Sequence, residues 1–280
     1  MVPAVRGRLS LLAAAFLFST GGAAIKATTL DAWQVSCFRC TIATLALVVL
    51  VPGARQAWSW RLVPVSLAYA ATLLTFVTAT KLTTSANAIY LQATAPIYLL
   101  ALSPLLLREK IGRRDVALAA VIALGMSLFF FGGSPIAVTA PNPPLGNLCG
   151  AASGICWALT VAGLRRYREA GIAVVAMGNL AGALIALLPA WPLPAFSAPD
   201  LAAVLYLGLF QIGLAYFCMT RGLRHVPAFE ASALMLLEPA LNPLWTFLLH
   251  GERPAGLALL GGAIILAATL AQVLTSRVRD

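Results

Sequence analysis

Apolar residues in this chain come in long runs, and the polar positions between them are few and clustered. A bilayer-crossing helix needs about 20 consecutive apolar residues. Ten runs reach that length, near 8–27, 32–51, 62–80, 85–107, 114–131, 146–164, 172–190, 200–220, 228–249 and 255–275. Most of the short connections carry Pro, Gly or charge, as at Pro52-Gly53, Arg108-Glu109-Lys110, Gly132-Gly133 and Arg165-Arg166. Residues 132–145 make a longer, uncharged loop. The pattern predicts an all-α polytopic membrane protein with ten transmembrane helices.

Composition strengthens that reading. The 280 residues are 61% hydrophobic and 10% charged, against about 45–50% and about 25% in soluble domains. Lipid is therefore the expected solvent. The formal charge of +10 does not point to nucleic acid, because the basic residues flank the apolar runs instead of forming one patch. With a cytoplasmic N-terminus, fifteen Lys and Arg residues fall on the cytoplasmic side and only Lys26, Lys81 and Arg253 on the other. Arg39 is left inside the second span. The positive-inside rule then places both termini in the cytoplasm. Arg6 and Arg8 before LLAAAFLF imitate a signal peptide, but the apolar run continues to Lys26 and reads as a retained first helix.

The second half echoes the first. An offset of 143 carries Pro96 onto Pro239, Glu109 onto Glu252, Lys110 onto Arg253 and Lys81 onto Arg224. Nearer the start of each half, an offset of 139 carries Gly7 onto Gly146 and Phe18 onto Trp157. The reading is two five-helix repeats, 1–140 and 141–280, within one membrane domain. An odd number of spans inverts the second copy, and such folds place their site near the midplane between the halves.

The ten spans, the duplication, the two P-x12-E patterns (Pro96 to Glu109, Pro239 to Glu252) and the E-P-x-L-N-P run at 238–243 resemble the EamA branch of the drug/metabolite transporter superfamily. Overall similarity is greatest to its bacterial aromatic amino acid exporters. The resemblance implies a bacterial inner-membrane efflux protein for aromatic and other neutral amino acids, and for methyl viologen.

The residues nominate a cavity on their own terms. Glu238 stands about halfway along the ninth span, where a carboxylate must face protein or water. It is either a contact for a substrate amine or a proton, or a structural group bonded to neighbouring helices. Asn87, Tyr90, Thr94 and Tyr98 follow three- and four-residue steps and share one face of the fourth span. That face reads as cavity lining, with inter-helix hydrogen bonding as the alternative; Gln92 lies off it. Phe18, Phe76, Trp157 and Tyr216 lie deep in their spans and offer ring faces to an apolar side chain or a flat cation. Asn242 joins them beside Pro243. Pro96, Pro239 and Pro243 are expected to shape or kink helices. Glu109 and Glu252, each next to a basic residue, are expected to form gate or helix-end pairs. Lys26, Arg39 and Lys81 either snorkel or attract a carboxylate. The glycines at 146, 150, 154 and at 178, 182 mark close helix packing.

Neither cofactor nor metal is expected. Cys37 and Cys40 form a C-x-x-C with no second ligand pair, so all five cysteines read as packing residues. No P-loop occurs, which leaves a solute or ion gradient as the energy source. No H-E-x-x-H or G-x-S-x-G occurs either, and His225 and His250 sit near span ends, so an intramembrane enzyme is the weaker reading. The expected function is export of amino acids, aromatic and other neutral ones, by a monomer in contact with lipid. Export of drug-like cations or other metabolites is the alternative.

Overall fold

Helix accounts for every regular element among the described residues. The computed structural model describes residues 3–95, 97–98, 113–131, 139–193, 197–223, 225–226 and 234–276. In the first half, α1 (Pro3–Ser19) and α2 (Gly21–Lys26) form one interrupted helix, followed by α3 (Ala32–Leu50), the short α4 (Gly53–Gln56), α5 (Val63–Leu82), α6 (Ser85–Gln92) and α7 (Arg113–Phe131). The second half holds α8 (Pro143–Arg166), α9 (Gly171–Leu187), α10 (Ala198–Tyr206), a π-helical stretch at Leu207–Leu214, α11 (Ala215–Gly222), α12 (Leu237–His250) and α13 (Gly256–Ser276). Pro96 and Glu109 lie outside the described residues.

Five of these helical segments are long and apolar enough to cross a membrane: Val5–Lys26, Ala32–Leu50, Trp60–Leu82, Pro143–Leu164 and Ala198–Gly222. Their outer faces carry Leu9, Phe16, Leu45, Leu50, Trp60, Leu205 and Phe210 exposed, a surface that water would not tolerate and lipid does. Hydroxyls inside the spans return to their own backbone. Thr41, Thr44, Thr75 and Thr78 each donate to the carbonyl four residues earlier, at 2.6–2.8 Å. Away from water this removes the cost of an unpaired polar group.

Local sequence sets the helix ends. Asp31 accepts from the amides of Trp33 and Gln34, both at 2.8 Å, and Gln34 bonds back to the Asp31 amide, a capping box that starts α3. Thr84 caps α6, and Asn142 followed by Pro143 starts α8. Gly251, at φ +64°, ends α12 in the left-handed region that favours glycine.

The halves interleave instead of standing apart. α5 packs along α8, α9 lies against both α3 and α5, and α13 lies along α7. Contacts also recur in exchanged pairs: α8 packs on α5 and α6, as α1 packs on α11 and α12. The glycines show the exchange at single residues. A Cβ at Gly146 would meet Thr83 and Leu82, and one at Gly7 would meet Val226 and His225. The sequence offsets of 139 and 143 carry the first trio onto the second.

Candidate functional site

A cavity of about 70 Å³, partly open to the outside, lies where the interleaved halves meet. Its wall takes Phe18 from α1, Arg39 from α3, Thr72, Leu73 and Phe76 from α5, and Gln92 from α6. The second half contributes Trp157 from α8, Gln211 and Ile212 from the π-helical stretch, Tyr216 and Met219 from α11, and Met235 and Glu238. The rings continue into the core: Phe18 meets Tyr216 edge-on at 4.8 Å between centroids, and Tyr216 meets Tyr69 at 5.3 Å.

Irregular backbone borders this cavity. The α1–α2 interruption falls at Thr20, and its neighbour Gly21 leaves room for the Gln211 side chain, which would lie 2.7 Å from a Cβ there. Gln211 itself sits in the π-helical stretch, a conformation that concentrates at functional sites. In a lipid-soluble fold, such backbone is tolerated where it is buried in protein or lines a cavity.

Glu238 stands at a break in the helical backbone. Leu234 and Met235 are helical, Leu236 is a turn, and α12 resumes at Leu237, so Glu238 and Pro239 lie in its first turn. Pro239 is tolerated there, because a first-turn amide has no intrahelical acceptor to lose. The turn at Leu236 interrupts the helical backbone three residues ahead of Pro239, where the kink is expected. The Glu238 side chain has no hydrogen-bond partner among the described residues. Pro243 does lie inside α12 and withholds the amide that would bond to the Pro239 carbonyl.

Arg39 is the other charge on the wall. It is 1% exposed, and its Nε and Nη1 have no hydrogen-bond partner among the described residues. No carboxylate lies within ion-pair distance of it among the described residues.

A second polar cluster lies beside the first. Glu252 pairs with Lys26 at 2.9 Å, and the two side chains are 2% and 4% exposed. The other carboxylate oxygen accepts from the Ser85 amide at 2.9 Å, at the N-terminus of α6. The Lys26 ammonium also donates to the carbonyls of Thr83, at 2.9 Å, and Thr139. Ser85 Oγ bonds to Asn242 Oδ1 at 2.5 Å, and both crowd Gly22, where a Cβ would come within 1.8 Å of that hydroxyl. Glu252 is thus tied to the first half and not to its neighbour Arg253, whose guanidinium lies over the Phe247 ring. Lys26 does not snorkel; it is buried in this pair. Lys81 donates to the Thr28 carbonyl and hydroxyl nearby.

Two stretches of the chain, residues 5–131 and 144–274, match the EamA-like transporter family. The chain belongs to that family. It is a multi-pass protein of the bacterial inner membrane. Among curated relatives, the threonine/homoserine exporter RhtA of Salmonella typhimurium strain LT2 is 33% identical over 143 residues, 47% of each chain. The RhtA of Escherichia coli K12 is 34% identical over 130 residues, 45% of this chain and 44% of that one. The EamA chain thus matches about half the length of these relatives. A solved crystal structure covers 98% of the chain and 99% of its own at a TM-score of 0.65 and 22% identity, which shows a shared fold.

Within this EamA fold the sequence candidates divide. Phe18, Phe76, Trp157, Tyr216 and Glu238 lie together on the cavity wall. Asn87, Tyr90, Thr94, Tyr98 and Asn242 are not part of that wall. Asn87 donates to Asn147 of α8 at 3.0 Å, Thr94 bonds to the Leu91 carbonyl at 2.6 Å, and Tyr98 points its hydroxyl at the Met126 sulfur. Tyr90 packs its ring against Gly262. Glycines on two neighbouring helices accompany this arrangement: Gly150 and Gly154 of α8 face Ala88, Leu91 and Thr94, and Gly262 of α13 faces Tyr90, so the polar face is spent on helix contacts. Gln92, off the stripe, reaches the cavity and donates to Ser153 at 2.8 Å. Thr72, Gln211, Met219 and Met235 are wall residues that sequence reasoning did not select. Thr72 and Gln211 were visible only as isolated polar residues in apolar runs.

Proposed function

We propose that this chain is a secondary exporter of amino acids, aromatic and other neutral ones, working by alternating access. In this reading ten spans form two inverted five-helix repeats around the cavity, with both termini cytoplasmic. The exchanged contacts of Gly7 and Gly146 support the repeat, and the Lys and Arg asymmetry supports the orientation.

One observation carries the proposal: rings from both halves, Phe18 and Phe76 with Trp157 and Tyr216, wall one cavity with Glu238, a carboxyl that has no partner among the described residues. The rings suit an apolar side chain, and the carboxylate suits a protonated amine. The relatives named as threonine/homoserine exporters support the amino acid class and extend it toward small hydroxylated side chains. Asn242, Ser85, Lys26 and Glu252 then close one end of the path; in the assigned orientation this is the outer end. The same rings and carboxylate also suit a flat organic cation, which is the second reading.

Excretion from living cells tests the assignment. Cells expressing the chain are fed dipeptides that release phenylalanine or threonine in the cytoplasm, and the medium is assayed for the free amino acid. Faster appearance than in vector controls, for either residue, is expected. Equal rates for both would refute amino acid export.

A further inference from the structure

We infer that Arg39 is the anchor for a substrate carboxylate, which makes the cavity a site for carboxylate-bearing solutes and not for simple organic cations. The inference rests on the proposed exporter reading and adds to it the group that the cavity selects.

Arg39 is the charge that the topology leaves inside the second span, and the structure buries it almost completely. An arginine retained for structure at such a depth is held by carboxylates or carbonyls, because an unpaired buried charge is costly. This one is not. Two of its three guanidinium nitrogens have no acceptor, and the neighbouring Cys40 thiol is a weak partner. The side chain nevertheless forms part of the cavity wall, together with Thr72, Gln92 and Gln211. The missing acceptor is therefore supplied most directly by something that enters the cavity. A planar fork of N–H donors matches a carboxylate with two parallel hydrogen bonds.

Glu238 strengthens the assignment. It is on the same wall and has no partner among the described residues, yet it is not within ion-pair distance of Arg39. A charge of each sign on the wall of one ring-lined cavity complements a zwitterion. A bare cation would satisfy Glu238 and leave Arg39 orphaned. A solute that carries both groups satisfies both.

The test is binding to the purified full-length protein, read by calorimetry, with four probes that share one ring: phenylalanine, phenylalaninamide, phenylpropionate and phenethylamine. Phenylalanine should bind at least about tenfold more tightly than phenylalaninamide, the range expected for hydrogen bonds to a charged group. Phenylpropionate should outbind phenethylamine. Arg39→Gln should abolish both preferences, and Arg39→Lys should retain part of them. The wild-type comparison needs no variant, so a misfolded Arg39→Gln protein does not spoil the test. Equal binding of phenylalanine and phenylalaninamide would overturn the anchor. Binding of phenylpropionate without phenylalanine would keep the anchor and refute the amino acid reading. Binding of none of the four would remove both.

Discussion

Lys26 and Glu252, 226 positions apart in sequence, meet at 2.9 Å with both side chains almost fully buried. The pair joins α2 to the turn after α12, and the Ser85 amide draws α6 into the same junction. Removing one member of a buried pair strands the other charge, at about 3–5 kcal/mol. Glu252→Gln and Lys26→Met should therefore each lower the thermal unfolding midpoint in detergent markedly. The double variant should lie closer to wild type than the sum of the singles. Additive losses would show that the two charges do not depend on each other.

Gly22 supplies a steric prediction. A Cβ there would overlap Ser85 Oγ and approach Asn242 Oδ1 to 2.7 Å, so Gly22→Ala must displace the bond between α6 and α12. A destabilisation of about 1–3 kcal/mol is expected for such overpacking. Gly256→Ala meets nothing within 4 Å and serves as the control, with a change within about 0.5 kcal/mol. Equal melting behaviour of the two variants would contradict the packing described.

The fourth span shows how far its sequence could be read. Its polar stripe was legible, but a stripe alone does not say whether it faces solvent or a neighbouring helix. The deciding residues were Gly150, Gly154 and Gly262 on other elements, and a partner helix is not encoded in local periodicity. Glu238 shows a second limit. Hydropathy carries the ninth run smoothly through Pro239, whereas the described backbone has a turn at Leu236, just ahead of Glu238. By contrast, Phe18 and Trp157 were matched by the repeat, and the structure places both on one cavity wall. Ring size and depth survive a change of register better than hydrogen-bond direction does.

Asn87 separates packing from substrate contact. Its amide bonds to Asn147 and Thr83 within a fully buried cluster. Asn87→Ala should cost about 1–3 kcal/mol of stability through the orphaned partners. The KM of the protein that remains folded should not change. A raised KM with unchanged melting would return Asn87 to the substrate path.

Glu238 and Trp157 should behave in the opposite way. Glu238→Gln keeps shape and removes the charge, so surface abundance should hold while transport falls at least about tenfold, as for loss of a charged hydrogen bond. Trp157→Ala should reduce phenylalanine transport more than threonine transport, because it removes ring area that only the larger substrate uses. If Glu238→Gln keeps the wild-type rate across the pH range, the carboxylate is structural.

Counterflow in proteoliposomes bears most directly on the central claim that this cavity carries amino acids. Vesicles holding the purified protein and loaded with unlabelled phenylalanine or threonine are diluted into trace labelled amino acid, with methyl viologen in parallel. Transient accumulation of the labelled amino acid above that in protein-free vesicles is predicted, and it should be lost in Glu238→Gln. Movement of methyl viologen without counterflow of either amino acid would contradict the account.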